Sequence, residues 1–303
     1  MSFLNPVNEP VLVFKGTDAG APQIDYNSRV AGDIKAVIKA CLVTGYGTKA
    51  SAGWSVVNEA AHVAEFVSPS AAMSDYRLGI DDSTTTKTTW YYTYQGSRTN
   101  PGFNEPSKAF SFIDKTSTNN GWQLFVTDRG LFFIELLQHT ASQKLVARIT
   151  WWGQIKSGLV DNTGINISYF NTGYNANSGT PNNLFNTGSN ANLFRHIRLA
   201  TYSRCDFNAC NIAPFYLPTR TFGASVMDSA SEVFLSFDGT MLGQQVGFLL
   251  RDVNLQTDVL GVNALNIDGR SVVFFASAEQ QSAASNAIAS TKVLGIRSDY
   301  WGF

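Results

Sequence analysis

A single amphipathic helix is the clearest element in the pattern of apolar and polar positions. The apolar residues that define it are Val30, Ile34, Val37, Ile38, Cys41 and Leu42. Their spacing places them on one face of a helix with a period of 3.6 residues. We expect Ser28 to cap the start of this helix, and Gly45, followed by Gly47, to end it in a left-handed turn. The pattern predicts about four helical turns with one buried stripe.

The rest of the chain alternates short apolar stretches with glycine, asparagine, serine, threonine and proline, which predicts strands. The predicted strands are Val11–Phe14, Trp54–Val57, His62–Phe66, Tyr76–Ile80, Thr88–Tyr94, Phe110–Asp114, Trp122–Thr127, Leu131–Leu137, Leu145–Trp152, Phe194–Tyr202, Glu232–Phe237, Val246–Leu250, Ser271–Phe275 and Lys292–Ile296. The clearest hairpin turns at Asp128 and Gly130, with a positive φ at the glycine, and its apolar second strand is expected to be central. Ala276–Ala289 reads either as a short helix or as a polar crossover.

These elements predict a mainly β protein with two halves. Residues 1–155 are expected to form an α+β domain, with the helix packed on an antiparallel sheet. Residues 156–192 are rich in asparagine, glycine, threonine and serine, which is typical of a long excursion or a mobile loop. Residues 193–303 are expected to form a β-rich, sandwich-like domain.

Charge and composition narrow the possible partners. The chain of 303 residues has 22 lysines and arginines against 23 acidic residues, so its net charge is −1. Without a basic excess we expect no nucleic-acid partner, and no apolar run is long enough for a membrane span. Met1–Pro10 lacks the pattern of a secretory signal. Cys41, Cys205 and Cys210 are odd in number and widely spaced, which favours free thiols in a protein made in the cytoplasm.

Two motifs invite comparison with binding or catalytic loops, but neither fits. Gly45–Lys49 has two glycines of a dinucleotide-binding fingerprint, yet Ala50 stands where the third is required and the segment follows a helix. The end of the helix is the favoured interpretation. Gly223–Met227 resembles the nucleophile elbow of hydrolases around Ser225 but lacks the last glycine.

Metal and carboxylate chemistry have weak support. The histidines His62, His139 and His196 are far apart, and a zinc site built from His196, Cys205 and Cys210 would still lack a fourth ligand. The pair Asp81–Asp82 is explained by turn formation at a strand end, although a glycosidase pair from two separate strands stays open. We therefore predict no catalytic residue, no metal site and no cofactor.

Aromatic residues form the most informative group. They are Trp90, Tyr91, Tyr92, Tyr94, Trp151, Trp152, Tyr300, Trp301 and Phe303. The favoured interpretation is a buried core, and the alternative is a subunit interface or a sugar-binding platform. The aromatic end of the chain, 298–303, is expected either to tuck into a core or to act as an arm that extends an interface with a neighbouring subunit.

Several stretches in order resemble a group of structural proteins of tailed-bacteriophage virions. The stretches are Thr17–Gln23, Ile38–Trp54, Tyr76–Asp82 and Gly121–Phe133, with Trp151–Ile155 downstream. The family pattern is a helix ending in a Cys-Leu-Val turn with two glycines and a lysine, then a tryptophan and a sheet. The resemblance covers roughly residues 10–160. At Gly130 and Leu131 the chain departs from the family's hairpin pattern, so a reshaped tip is expected there.

The resemblance implies a virion protein that assembles through contacts with copies of itself and with other virion proteins, in the tail, neck or baseplate. It brings no catalytic residues and no membrane partner. We expect the first half to dock to another virion protein, and 156–192 with the second half to make lateral or outward contacts. The alternatives are a capsid decoration protein, or a tail adhesin that binds host glycans through Tyr169 and Tyr174. A depolymerase is a further, weaker alternative.

Overall fold

The computed structural model describes residues 7–25, 28–74, 76–85, 87–94, 109–112, 117–139, 145–157, 166–171, 195–198, 211–213, 230–237, 240–251, 264–267, 269–276 and 293–303. Within them the chain is mainly β, with one short helix near the N-terminus, as predicted. The strands are β1 (Asn8–Pro10), β2 (Leu12–Lys15), β3 (Ser55–Glu59), β4 (Val63–Val67), β5 (Tyr76–Asp81), β6 (Lys87–Tyr94), β7 (Ala109–Phe112), β8 (Ser117–Thr127), β9 (Gly130–His139), β10 (Leu145–Gln154), β11 (Lys156–Ser157), β12 (Asn166–Asn171), β13 (Arg195–Arg198), β14 (Asn211–Ala213), β15 (Ala230–Phe237), β16 (Thr240–Arg251), β17 (Ala264–Ile267), β18 (Arg270–Ala276), β19 (Val293–Arg297) and β20 (Tyr300–Gly302).

The strands form three antiparallel sheets and one ribbon. A five-stranded meander runs in the order β3-β4-β5-β6-β7. A six-stranded sheet has the order β13-β12-β10-β9-β8-β2, and a seven-stranded sheet has the order β14-β15-β16-β19-β18-β17 with β11 beside β16. The ribbon pairs β1 with β20, which brings the two described ends of the chain together.

The described side chains of β8, β9 and β10, in the middle of the six-stranded sheet, are buried on both faces because they alternate between two cores. The helix-side core receives Trp122, Leu124, Val126, Leu131, Phe133 and Trp152, together with residues of the helix and of the meander. The tail-side core receives Phe125, Phe132, Ile134, Leu136, Ala147, Ile149 and Trp151, together with Val246, Val273, Phe275, Ile296, Trp301 and Phe303. The C-terminal strands therefore pack, as in a sandwich, against the six-stranded sheet. The proposed division at 155 and 192 stays a prediction.

The helix starts later than its apolar spacing predicts. Helix α1 spans Asp33–Lys39 and continues as a π-helix over Ala40–Thr44. Gly32, with φ 97°, precedes the first turn, and the Ser28 N–H instead donates a hydrogen bond to the Asp25 carboxylate. Val30 lies outside the helix and is 63% exposed, so its place on the buried stripe was wrong.

The end of the helix is at Gly45, as predicted, but with a different backbone geometry. Gly45 has φ 73° and ψ 176°, an extended conformation open essentially to glycine alone rather than the left-handed helical one. Its N–H donates to the carbonyl of Ala40 at 2.8 Å, which closes the wider π-type turn.

The predicted central hairpin is present as β8 and β9, joined where Thr127 pairs with Gly130. The positive φ expected at Gly130 is wrong. Gly130 is required for space instead, because a Cβ there would lie 2.8 Å from the Trp151 ring and 3.0 Å from Gly153. The positive φ in this hairpin belongs to Gly121, at the bulge between Asn119 and Trp122.

The predicted strands are present with shifted ends, and six further strands were not predicted: β1, β11, β12, β14, β17 and β20. Of the excursion 156–192, only β11 and β12 are described. The candidate helix Ala276–Ala289 lies outside the described residues, apart from Ala276 at the end of β18. No helix among the described residues is long and apolar enough to cross a membrane.

Candidate functional site

The stretches that carry the family resemblance meet around one core. Loop 17–23, the helix with its glycine turn, β5, the β8–β9 hairpin and the end of β10 all border the helix-side core. Residues far apart in sequence, such as Leu42, Leu78 and Trp152, are fully or almost fully buried there. We name residues 15–23 and 45–50, which contain exposed positions at the border of this core, the paired glycine loops.

The second of the paired glycine loops is a closed turn. Tyr46 and Lys49 exchange backbone hydrogen bonds of 3.1 and 2.8 Å. The π-helix before it leaves the carbonyls of Cys41 and Leu42 without helical partners, and they accept the N–H groups of Ala52 and Trp54, each at 2.9 Å. These hydrogen bonds connect the end of the helix to the segment that leads to the buried Trp54.

The two loops touch through their glycines. Gly20 and Gly47 have φ values of 77° and 54°, and a Cβ on Gly20 would lie 3.0 Å from the Gly47 Cα. A Cβ on Gly47 would collide with the carbonyl oxygen of Ala19. Close backbone approach therefore requires glycine here, and it leaves Thr17, Ala19, Gly20, Gly47, Thr48 and Ala50 exposed at the surface.

Asp18 holds the loops together. One oxygen, Oδ2, accepts hydrogen bonds from Lys49 Nζ at 2.7 Å, Tyr46 Oη at 2.8 Å and the Lys15 N–H at 2.9 Å. Partial burial by itself raises the pKa of Asp18, but the bonds from Lys49, Lys15 and Tyr46 outweigh it and hold the pKa below its usual value. Burial, followed by the bond to Asp18, raises the pKa of Tyr46.

Aromatic rings fasten the loops to the six-stranded sheet. The Lys49 ammonium lies 5.3 Å from the Phe14 ring centroid, and the Tyr46 ring lies 5.9 Å from Phe14 and 6.2 Å from Trp122. Trp122 Nε1 donates to the carbonyl of Pro22 at 2.9 Å. The result is a surface of small residues that lies on a tightly packed aromatic base.

The pair Asp81–Asp82 has two different roles. Asp81 accepts the Ser83 N–H, as the turn interpretation predicts. Asp82 is fully buried, forms an ion pair with Arg29, and accepts the Thr88 hydroxyl at 2.9 Å. Its other oxygen accepts the N–H groups of Ile34 and Lys35, at 2.8 and 3.3 Å, so it caps α1 in the place assigned to Ser28.

The other residues considered for chemistry are not brought together within the described part of the chain. His62 lies between β3 and β4, His139 in β9 and His196 in β13, while Cys205, Cys210 and Ser225 lie outside the described residues. Cys41 is a free, buried thiol, and burial raises its pKa. The described residues contain no group of three or more His, Cys, Asp or Glu side chains arranged to hold a metal.

The core interpretation of the aromatic residues is confirmed for Trp90, Trp151, Trp152, Trp301 and Phe303, which are all buried, whereas Tyr300 is only half-buried. The end of the chain packs into its own tail-side core, so the alternative of an interface arm was wrong for Trp301 and Phe303. Tyr174 lies outside the described residues, and for Tyr169 only the backbone pairing with Trp152 and with Arg195 is described.

Sequence reasoning missed several charged contacts, among them the Asp18 cluster, the Arg29–Asp82 pair and an ion pair between Glu9 and Arg129. The spacing of Asp18 from Tyr46 and Lys49 gives no periodic signal, because it is set by the meeting of two loops. Among known proteins, no family model, curated sequence or solved structure matches the chain.

Proposed function

We propose that this chain is a structural protein of a tailed-bacteriophage virion that assembles in the tail, neck or baseplate through subunit contacts. The observation that carries the proposal is the packing of the resembling stretches into one unit around the helix-side core. A resemblance spread over separate surfaces would have been a weaker guide to function. A glycine-to-glycine contact and a triply bonded Asp18 preorganise the surface that this unit presents.

Exposed apolar residues support contacts on the same half of the chain. The large apolar side chains with high exposure in the described residues are Val7, Leu12, Val30 and Val57, at 46, 46, 63 and 44%. Leu12 lies on β2, at the edge of its sheet, and Val57 lies at a bulge in the edge strand β3. Edge strands offer unpaired backbone groups to a neighbour, and burial of these side chains in an assembly would add favourable apolar contact.

The proposal is tested by following the chain in infected cells and in purified particles. Quantitative mass spectrometry of gradient-purified virions should find it at a constant multiple of the other tail components. Thr48→Glu, on the exposed loop surface, should lower its incorporation, because a carboxylate would enter a subunit interface. A matched variant at an exposed site outside the loops, Asp25→Ala, should incorporate normally.

Absence of the chain from purified virions would contradict the proposal. The purified protein also distinguishes this role from that of a glycan-binding adhesin. Saturable binding of a host polysaccharide would favour the adhesin if it is lost in Tyr169→Ala and Tyr174→Ala but retained in Thr48→Glu. Release of reducing ends from the polysaccharide would favour a depolymerase.

A further inference from the structure

Strand β1 is held in place by contacts with distant parts of the chain. Among the described strands it pairs with β20 alone. Val7 and Phe303 exchange backbone hydrogen bonds of 3.1 and 3.0 Å, and the Val11 N–H donates to the carbonyl of Asp299 at 3.0 Å. Two-stranded ribbons are marginally stable alone, so the side chains decide how firmly each strand is held.

The two strands of this ribbon are anchored very differently. On β20, Trp301 is fully buried, and Phe303 directly after it is 3% exposed, both in the tail-side core. On β1, Glu9 is partly buried and the residues on either side of it are exposed. Strand β20 is therefore part of the folded core, whereas β1 lies on its surface.

The site that receives β1 is built around Arg129, in the turn between β8 and β9. Glu9 Oε1 lies 2.5 Å from Arg129 Nε, and the guanidinium lies 5.2 Å from the Phe303 ring centroid. Arg129 thus contacts both the bound strand and the strand that receives it. The backbone edge of β20 and Arg129 both lie outside β1, so the same site would accept β1 from another copy of the chain.

Pro10 limits β1 to one pairing edge. Because Val7 and Phe303 form a hydrogen-bonded pair, the alternation of an antiparallel ladder points the backbone groups of Asn8 and Pro10 to the opposite edge. Proline has no N–H, so that edge lacks a donor at residue 10. Strand β1 is therefore suited to pair on one side only, and β20 is the strand that is seen to fit that side.

We propose that β1 is exchanged between neighbouring copies of this chain in the assembly, so that β1 of one copy pairs with β20 of the next and its Glu9 binds Arg129 there. The proposal rests on the proposed function, because exchange requires copies that lie side by side. The hinge is Val11, since Phe14 is buried in the helix-side core and fixes β2 in its own molecule. Residues 7–11 span at most about 18 Å when fully extended, so the neighbouring β20 must lie close to β2.

Exchange keeps the contacts of β1 and adds new ones. The backbone pairing and the Glu9–Arg129 ion pair are the same within one copy as between two, so they favour neither form. Val7 and Leu12, on either side of β1, are each 46% exposed. The short reach of the segment would bring them against the neighbouring copy, and burial of their apolar surface favours the exchanged form.

Single cysteines on the two strands test the exchange. Asn8 and Gly302 lie directly opposite each other in a non-hydrogen-bonded pair, which is close enough for a disulfide. Asn8→Cys and Gly302→Cys chains, each also carrying Cys205→Ser and Cys210→Ser, are expressed in equal amounts in infected cells in place of the unmodified chain. After oxidation of the purified virions we expect disulfide-linked heterodimers in up to about half of the chains, since a random neighbour carries the other variant half of the time. Either variant alone should give no such dimer.

The matched control is the pair Ser55→Cys and Val67→Cys, placed on separate chains in the same background. These residues lie opposite each other in β3 and β4, which a short turn joins within one copy. The control mixture should therefore give no heterodimers.

Reversed charges give a second, independent test. Glu9→Arg alone and Arg129→Glu alone each place like charges together and should incorporate poorly. In a mixture of the two variants, exchange pairs Arg with Glu at both sites, so incorporation should recover several-fold. This test decides the outcome if a cysteine variant fails to fold, and the cysteine test decides it if a charge-reversed variant does.

Normal incorporation without heterodimers would overturn the exchange and leave the proposed function intact, as would a charge-reversed mixture that incorporates no better than its components. Absence of the chain from virions would instead contradict the proposed function. In that case the cysteine mixture is oxidised as concentrated purified protein, where heterodimers would support exchange between copies and their absence would overturn it.

Discussion

Asp82 shows how a single buried residue joins elements that are distant in the sequence. Its carboxylate lies 48 positions from Ile34, whose N–H it accepts, and it also pairs with Arg29. The side chains of both charged partners are almost completely excluded from solvent. Removal of one partner leaves the other as a buried, uncompensated charge, which is the expensive way to break such a pair.

We predict that Asp82→Ala lowers the free energy of unfolding by about 3 to 5 kcal/mol. The substitution removes the counter-charge of the buried Arg29 and the carboxylate that caps the start of α1. The neighbouring Asp81→Ala should stay within about 1 kcal/mol of the parent chain, since it loses only a turn contact at the surface. Urea denaturation followed by tryptophan fluorescence measures both. Equal effects of the two substitutions would contradict the role given to Asp82.

Gly47 and Gly53 form a second pair of matched positions. Both have positive φ values, 54° and 79°, but a Cβ at Gly53 meets nothing within 4 Å, whereas one at Gly47 collides with Ala19. Gly53→Ala should destabilise the fold by about 1 kcal/mol, from backbone conformation alone. Gly47→Ala should add a further loss of about 1 to 3 kcal/mol, from steric overlap. Thermal unfolding of the two variants measures the difference, and identical melting temperatures would show that the glycine loops are not in contact.

At the scale of elements, the sequence predicted secondary structure best where a strand is buried on both faces or where apolar and polar residues alternate strictly along it. The hairpin of β8 and β9 was predicted because long apolar runs flank Asp128 and Gly130. The start of α1 was not, because a carboxylate from a distant strand caps it and no neighbour in the sequence reports that contact. Strands of three residues, such as β1 and β20, are too short to show a period and exist only because they pair with each other.

In the candidate site, too, local features were predicted from the sequence and contacts between distant segments were not. The end of the helix at Gly45 was predicted from local spacing, since a glycine after an apolar stripe is a local signal. The role of Asp18 was not, because it follows from the approach of loops 15–23 and 45–50. The pairing of β1 with β20 also depends on the complete fold. The ion pair between Glu9 and Arg129 could therefore not be predicted from the sequence pattern.

The last strand carries the next prediction. Trp301 is fully buried, its Nε1 donates to Arg297 at 2.9 Å, and its ring covers Gly247 at a bulge of β16. Trp301→Ala should lower the free energy of unfolding by about 3 to 5 kcal/mol. Tyr300→Ala, next to it, should lose only about 1 kcal/mol, since Tyr300 stacks at the surface on Arg297.

Deletion of Tyr300–Phe303 should accordingly destabilise the monomer, and not merely reduce assembly as expected of an arm. Circular dichroism during thermal unfolding measures this loss. A truncated chain with the parent's melting temperature but with impaired assembly would restore the interpretation of the tail as an arm.

At the scale of the whole molecule, the six-stranded sheet is shared between the two cores. Its tail-side face presents Phe125, Phe132 and Trp151, which are covered by residues from β16, β18, β19 and β20. A chain ending at residue 155 would leave this apolar face open to solvent. We predict that such a fragment binds a hydrophobic dye and aggregates, whereas the full chain unfolds in one transition. A soluble, monomeric fragment that unfolds cooperatively would instead support the predicted domain boundary at residue 155.

The most direct test of an assembly role is cryo-electron microscopy of the purified virion that contains this protein. We expect density for the three sheets in several symmetry-related copies at one position of the tail, neck or baseplate, with the paired glycine loops in contact with a neighbouring subunit. Virions without such density, together with a purified chain that stays monomeric at micromolar concentration, would contradict it.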